Sequence, residues 1–209
     1  MVRESPTDSH ANAGRCAREG GLRTRVVWLE PRTLVCLVGA APSEASGITR
    51  GLARRLRDES AGRHAALVAR CRLVGRFGDD VSCSVSFAHS EGFAAAIASC
   101  RPGRIGVDLI RTSRLDTRAL RAIATAREVS LLSSLGSLAP AAAWAIKEAT
   151  LKAFGAGQCR GLTRIRITKC GHRLMAGPAD AASVAGGARM LPVWMWRWGD
   201  WLIVGVRSS

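Results

Sequence analysis

Asp108, Glu148 and Lys152 bring two carboxylates and an ammonium onto a strand and a helix of this chain. Asp108 lies in Arg104-Ile105-Gly106-Val107-Asp108-Leu109-Ile110, a run that reads as a strand. Alternation puts Ile105, Val107 and Leu109 on one face and Arg104, Gly106, Asp108 and Ile110 on the other. Asp108 is then a lone carboxylate among apolar neighbours. Taken alone it is an ordinary strand-end Asp capping a turn; the rival reading is a ligand for a hard divalent cation. Glu148 and Lys152 fall in Trp144-Ala145-Ile146-Lys147-Glu148-Ala149-Thr150-Leu151-Lys152, a helix on which Trp144, Glu148 and Lys152 form one stripe at i, i+4, i+8. Taken alone, that is a surface Glu–Lys pair worth roughly 0.3–0.5 kcal/mol. The combination carries more. Two carboxylates holding Mg²⁺, with an ammonium beside them, suit a phosphate-ester or pyrophosphate substrate.

The lysines add weight to that stretch. Only Lys147, Lys152 and Lys169 are lysines among 31 basic residues, so two of the three sit in one helix. In a chain that otherwise uses Arg, a Lys here suggests a need for a compact ammonium that guanidinium cannot replace.

The surrounding elements can be placed from pattern. Residues 1–24 read as a polar leader with no apolar h-region, unlike a signal peptide. Arg25–Glu30 and Thr33–Val38 read as strands around a Pro31 turn. Pro42–Gly47 reads as a loop, with Ser46 or Thr49 as the cap of a helix. That helix, or helix pair, runs from about Arg50 to Cys71, with Leu52, Leu56, Leu67 and Val68 as its buried positions, and Gly75–Asp80 breaks it. Val81–Ala88 is a strand, and Phe93–Ser99 reads as one half of a hairpin with Ile105–Ile110. Leu115–Leu135 is helical in two pieces. Pro140 opens a third helix that ends near Phe154, with Gly155-Ala156-Gly157 stopping it. Thr163–Thr168, Leu191–Trp198 and Trp201–Val206 are strands, the last two joined by Gly199-Asp200. Trp194, Trp196 and Trp198 share a strand face, with Trp201 beyond the turn, and are expected to cover a helix as core. The fold class is α+β.

Composition bounds the function. The chain has 209 residues, is 47% apolar, and carries a formal charge of +15. The longest apolar runs, Thr33–Ala41 and Phe93–Ala98, are too short to span a bilayer, and a cytoplasmic location is expected. Seven cysteines form no C-x-x-C pair, and four histidines show no metal-ligand spacing. The positive charge would attract nucleic acid, an acidic membrane, a phosphorylated small molecule or an acidic protein. No RNP signature, zinc finger or interleaving of aromatic with basic residues favours nucleic acid.

These motifs resemble a known family. Gly106-Val107-Asp108, then Glu128, then Trp144 through Gly157 is similar to the signature of the 4′-phosphopantetheinyl transferases, in the larger, surfactin-synthetase type with a Trp/Lys-Glu-Ala motif. Ser84-Val85-Ser86-Phe87-Ala88-His89-Ser90 resembles that family's Ser-x-Ser-His-Ser strand end. Arg54-Arg55, Asp58 and Ala61-Gly62-Arg63 resemble its Arg-rich helix with an Ala-Gly-Arg turn.

The resemblance implies two similar lobes of small antiparallel sheets with packed helices, 25–102 and 103–209, and an active site in the cleft between them. It implies transfer of the phosphopantetheine arm of coenzyme A to a serine of an acidic acyl or peptidyl carrier protein. Asp108 and Glu148 would bind Mg²⁺, Glu148 would also help deprotonate the serine, and Lys152 would stabilise charge as the pyrophosphate bond breaks. Arg55, Arg63 and His89 match positions that grip the nucleotide phosphates. The chain departs from the family pattern at Ile110, where a second acid is usual, at Ala88, at Ile123-Ala124-Thr125, and between Arg63 and His89, where a Gly-x-Pro…Pro loop is usual. Two further readings remain: a degenerate homologue that binds coenzyme A or a carrier protein without catalysis, and a basic nucleic-acid-binding module. No membrane partner is expected.

Overall fold

The computed structural model describes residues 3–4, 18–19, 22–30, 33–39, 49–78, 82–91, 93–155, 161–179 and 190–208. It is an α+β protein that divides into two compact units, 8–102 and 103–209, the latter joined by residues 1–7. The stretch expected as a leader contributes two short strands, Arg3–Glu4 (β1) and Arg18–Glu19 (β2).

Unit 8–102 holds one antiparallel sheet. Leu22–Glu30 (β3) and Thr33–Gly39 (β4) are followed by a helix, Thr49–Phe77 (α1), then Ser84–Ser90 (β5) and Phe93–Ser99 (β6). The strand order is β2-β3-β4-β6-β5. The turn at Pro31 and the loop 42–47 lie outside the described residues, as do the side chains of Leu52 and Leu56. The buried stripe of α1 is Ala61, Ala65, Ala69 and Leu73, four residues apart, packed with Leu34, Cys36, Val38, Ala94, Ala96 and Ala98. Leu67, expected in the core, is 59% exposed, because it lies off that stripe. The small residues of both partners let helix and sheet approach closely.

The helix also runs past the expected break. Gly75 is accommodated within it, at roughly 1 kcal/mol against Ala. The helix stops instead at Gly78, whose φ of +98° lets its N–H close back on the Val74 carbonyl at 2.8 Å.

Unit 103–209 is built on a second sheet. Ile105–Arg111 (β7) leads to Thr117–Ile123 (α2), Ala126–Leu132 (α3) and, through a 3-10 stretch, to Ala139–Ala153 (α4). Ile165–Cys170 (β8), Arg173–Pro178 (β9), Leu191–Trp198 (β10) and Trp201–Arg207 (β11) complete it. The order is β7-β11-β10-β9-β8, with β1 pairing parallel to β10. Strand β9 is additional to the strands expected from pattern; it closes a hairpin with β8 through Gly171-His172, with Gly171 at φ +57°.

Three expectations change here. The expected hairpin of Phe93–Ser99 with Ile105–Ile110 does not form. Strand β6 is already paired on both edges by β4 and β5, so β7 pairs with β11 in the other unit's sheet. The tryptophans of β10 do not face the helices of this unit's core: Leu191, Val193 and Met195 take that side, so alternation turns Trp194, Trp196 and Trp198 to the opposite face, half-buried. Finally, Ala126–Ala153 is long and apolar enough to cross a membrane by length and composition alone, although no run was expected to be. It is broken at Gly136 (φ 55°, ψ −127°), and both helical parts pack into this unit's core.

Candidate active site

The site begins with a glycine. A Cβ on Gly106 would run into the Ala149 carbonyl oxygen and lie 2.8 Å from Ala153 N, so only Gly lets α4 settle this closely on β7. Two residues on, and on the same face, Asp108 meets that helix. The close approach is reinforced by the alanines at 141, 142, 143, 145, 149 and 153, all buried.

Helix α4 is buried nearly all round. Its unburied positions are Trp144, Glu148 and Lys152, the same i, i+4, i+8 stripe read from the sequence. Lys152 Nζ donates to Asp108 Oδ1 at 2.9 Å and to the Val107 carbonyl oxygen at 3.0 Å. The side chain of Asp108 is 12% exposed and that of Lys152 33%. Glu148 is half-buried beside them.

The electrostatics are strained in one direction. Burial pushes the Asp108 carboxyl above its usual range, opposed by Lys152 and by a backbone N–H at Leu109. Burial, and then the Asp108 charge, raise Glu148 as well, with Lys152 opposing. The Asp108 charge that raises Glu148 makes the two carboxylates a hard-oxygen donor set whose repulsion a divalent cation would relieve, so these residues fit Mg²⁺. Mg²⁺ needs only one or two protein carboxylates when substrate phosphates and water complete its shell. Among the described residues no group of three or more His, Cys, Asp or Glu could hold a metal, in keeping with Ile110, a core residue, in the place of a second acid on β7.

Lys147 and Glu128 have a different task. Lys147, 1% exposed, donates to Glu128 Oε1 at 3.0 Å and Oε2 at 3.2 Å, and to the Ile165 carbonyl oxygen. Glu128 also accepts from the Thr125 N–H (2.8 Å), within a capping box that starts α3, and from the Ile167 N–H (2.6 Å). Burial pushes the Glu128 carboxyl up, but these donors together outweigh it and hold it below the usual carboxylate range. One buried ion pair thus ties α3, α4 and β8 together. The compact ammonium argued for Lys147 and Lys152 alike is used at 147 to join elements and at 152 to meet Asp108. The Thr125-x-x-Glu128 spacing is the sequence signal for the former.

The remaining candidates lie in unit 8–102. Arg55 is in α1, and its side chain lies outside the described residues. Ala61-Gly62-Arg63, expected as a turn, is continuous α1 helix. A Cβ on Gly62 would lie 2.8 Å from Phe87 Cδ2 and 3.5 Å from His89 Cδ2, so this part of α1 sits against the end of β5. Arg63 and His89 are both exposed there.

No curated protein matches the chain. Residues 104–176, which hold Asp108, Glu148 and Lys152 together, match the family model of the 4′-phosphopantetheinyl transferase superfamily, and this match supports that superfamily and phosphopantetheinyl transfer in general.

Proposed function

We propose that the chain is a holo-carrier-protein synthase of the surfactin-synthetase type. It moves the 4′-phosphopantetheine arm of coenzyme A onto a serine hydroxyl of an acidic acyl or peptidyl carrier protein, in a Mg²⁺-dependent reaction, in the cytoplasm. The observation that carries the reading is the one unburied stripe of α4, whose charged groups are Glu148 and Lys152, beside Asp108.

Asp108 and Glu148 would hold the metal. When bound, it supplies charge neutralisation across the pyrophosphate. The serine oxygen attacks the β-phosphorus as the pyrophosphate P–O bond breaks, and adenosine 3′,5′-bisphosphate leaves. Glu148, with its raised proton affinity, accepts the serine proton directly or through water. Lys152 places its ammonium against the charge that develops on the departing phosphate. Arg55, Arg63 and His89 grip the nucleotide phosphates.

The test is the intact mass of a panel of apo carrier proteins after incubation with the chain, coenzyme A and Mg²⁺. A gain of one phosphopantetheine group on at least one carrier, lost with Asp108→Ala, is expected. A second reading, a homologue that binds coenzyme A or a carrier without catalysis, draws on Ile110. Mass gain on no carrier, with coenzyme A still bound in equilibrium dialysis, would favour it.

A further inference from the structure

We propose that Cys83 and Cys100 form a reversible intramolecular disulfide, a modification site in unit 8–102 that stands independently of the transferase reading. Strands β5 and β6 pair antiparallel with Ser84 opposite Ser99. Cys83 and Cys100 are the residues immediately beyond that pair, where continuation of the same register would set them opposite one another. Directly opposed residues of an antiparallel pair have Cα atoms roughly 4.5–5.5 Å apart, inside the range a disulfide spans. The side chains already point at one another: the two Sγ atoms are 3.1 Å apart, closer than sulfurs sit in ordinary packing. Both residues are partly exposed, so a small oxidant can reach them.

The other described cysteines differ. Cys36 is buried in the sheet, and burial pushes its thiol up to about 12, which leaves it inert as a nucleophile. Cys71 and Cys170 are exposed, on α1 and at the end of β8.

The position gives the bond a consequence. Cys83 enters β5, whose far end carries His89, and Cys100 leaves β6 just before the division between units at Pro102 and Gly103. The backbone there is already pinned, with the Ser99 hydroxyl within 3.1 Å of the Thr33 hydroxyl and accepting from the Arg101 N–H at 3.2 Å. A disulfide would close the β5–β6 hairpin at its open end and fix where the chain leaves this unit. The chemistry balances with a low-molecular-weight disulfide as oxidant. One thiolate attacks it, expelling one small thiol. The second cysteine then attacks the mixed disulfide, expelling the other. Two electrons and two protons pass from the cysteines to the small disulfide.

The experiment equilibrates the full chain, folded, in graded mixtures of reduced and oxidised glutathione, followed by acid quench, alkylation and peptide mass mapping. The expected result is a Cys83–Cys100 cross-linked peptide about two mass units below its dithiol form, reversed by reductant. It should form at ratios where Cys71 and Cys170 carry glutathione singly or remain alkylated. The oxidised chain should melt at higher temperature than the reduced one, and Cys83→Ser or Cys100→Ser should abolish both the cross-link and that difference. Separate alkylation of Cys83 and Cys100 at every ratio would overturn the proposal. A cross-link formed only in the urea-unfolded chain would overturn it equally, since proximity in the fold would then play no part.

Discussion

Lys152 has two acceptors to satisfy, the Asp108 carboxylate and the Val107 carbonyl, and a single nitrogen serves both. A guanidinium is broader and forked, and from one helical turn past Glu148 it would also compete for that carboxylate. Lys152→Arg is expected to keep the fold and most coenzyme A affinity but to lose at least about tenfold in turnover, roughly 1.4 kcal/mol of transition-state stabilisation. Steady-state kinetics check this against Lys169→Arg, at an exposed position of β8, which should be silent. Glu148 gives a prediction of stability. Burial and the Asp108 charge raise its proton affinity, so the folded chain holds this proton more tightly than the unfolded chain, whose value is roughly 4.3. The ionised carboxylate therefore subtracts stability as pH rises through its folded value. Glu148→Gln should melt higher than the parent at pH 7, by about 2–5 °C, and should lose that advantage below about pH 4. Mg²⁺ should raise the melting temperature of the parent and not that of the variant. An unchanged melting difference across this range would show that the two carboxylates do not repel.

At the scale of elements, the Lys147–Glu128 pair holds α3, α4 and β8 in register. Lys147→Met strands a buried carboxylate and should cost about 3–5 kcal/mol in urea unfolding. Adding Glu128→Gln should recover part of that loss, because the unpaired charge is gone. Glu128 is held below its ordinary range, so it contributes stability above its unfolded value, and that contribution disappears as pH falls through the folded value. The acid limb of the parent's stability should accordingly be steeper than that of the double variant. Most of these elements were legible in the sequence: Pro140 and Gly155-Ala156-Gly157 marked the two ends of α4, and Gly199-Asp200 marked the β10–β11 turn. The α1 end and the partner of β6 were not. Gly75 and Gly78 read alike in sequence, and only backbone closure on Val74 selects the second.

Across the whole molecule the formal charge of +15 acts at long range. If the acceptor is an acidic carrier protein, the charge speeds the encounter and leaves the bond-breaking step alone. KM for the carrier should then rise about five- to tenfold between roughly 50 and 300 mM NaCl, with kcat nearly constant, because the Debye length falls below about 10 Å. Initial rates at fixed Mg²⁺ and coenzyme A check it. A KM that ignores salt would remove the electrostatic account of the basic excess.

The local chemistry follows from short stretches of sequence. A helical stripe of Trp144, Glu148 and Lys152 and a strand carboxylate at Asp108 arise from helix and strand periods of about 3.6 and 2, which each segment sets within its own few residues. Pairing and facing were decided by the tertiary structure. Which strand β6 accepted, which face of β10 met the helices, and which of two motif lysines was buried with Glu128 all depend on contacts between residues far apart in the chain. Side-chain pattern specifies that a face is apolar, and only packing specifies what covers it.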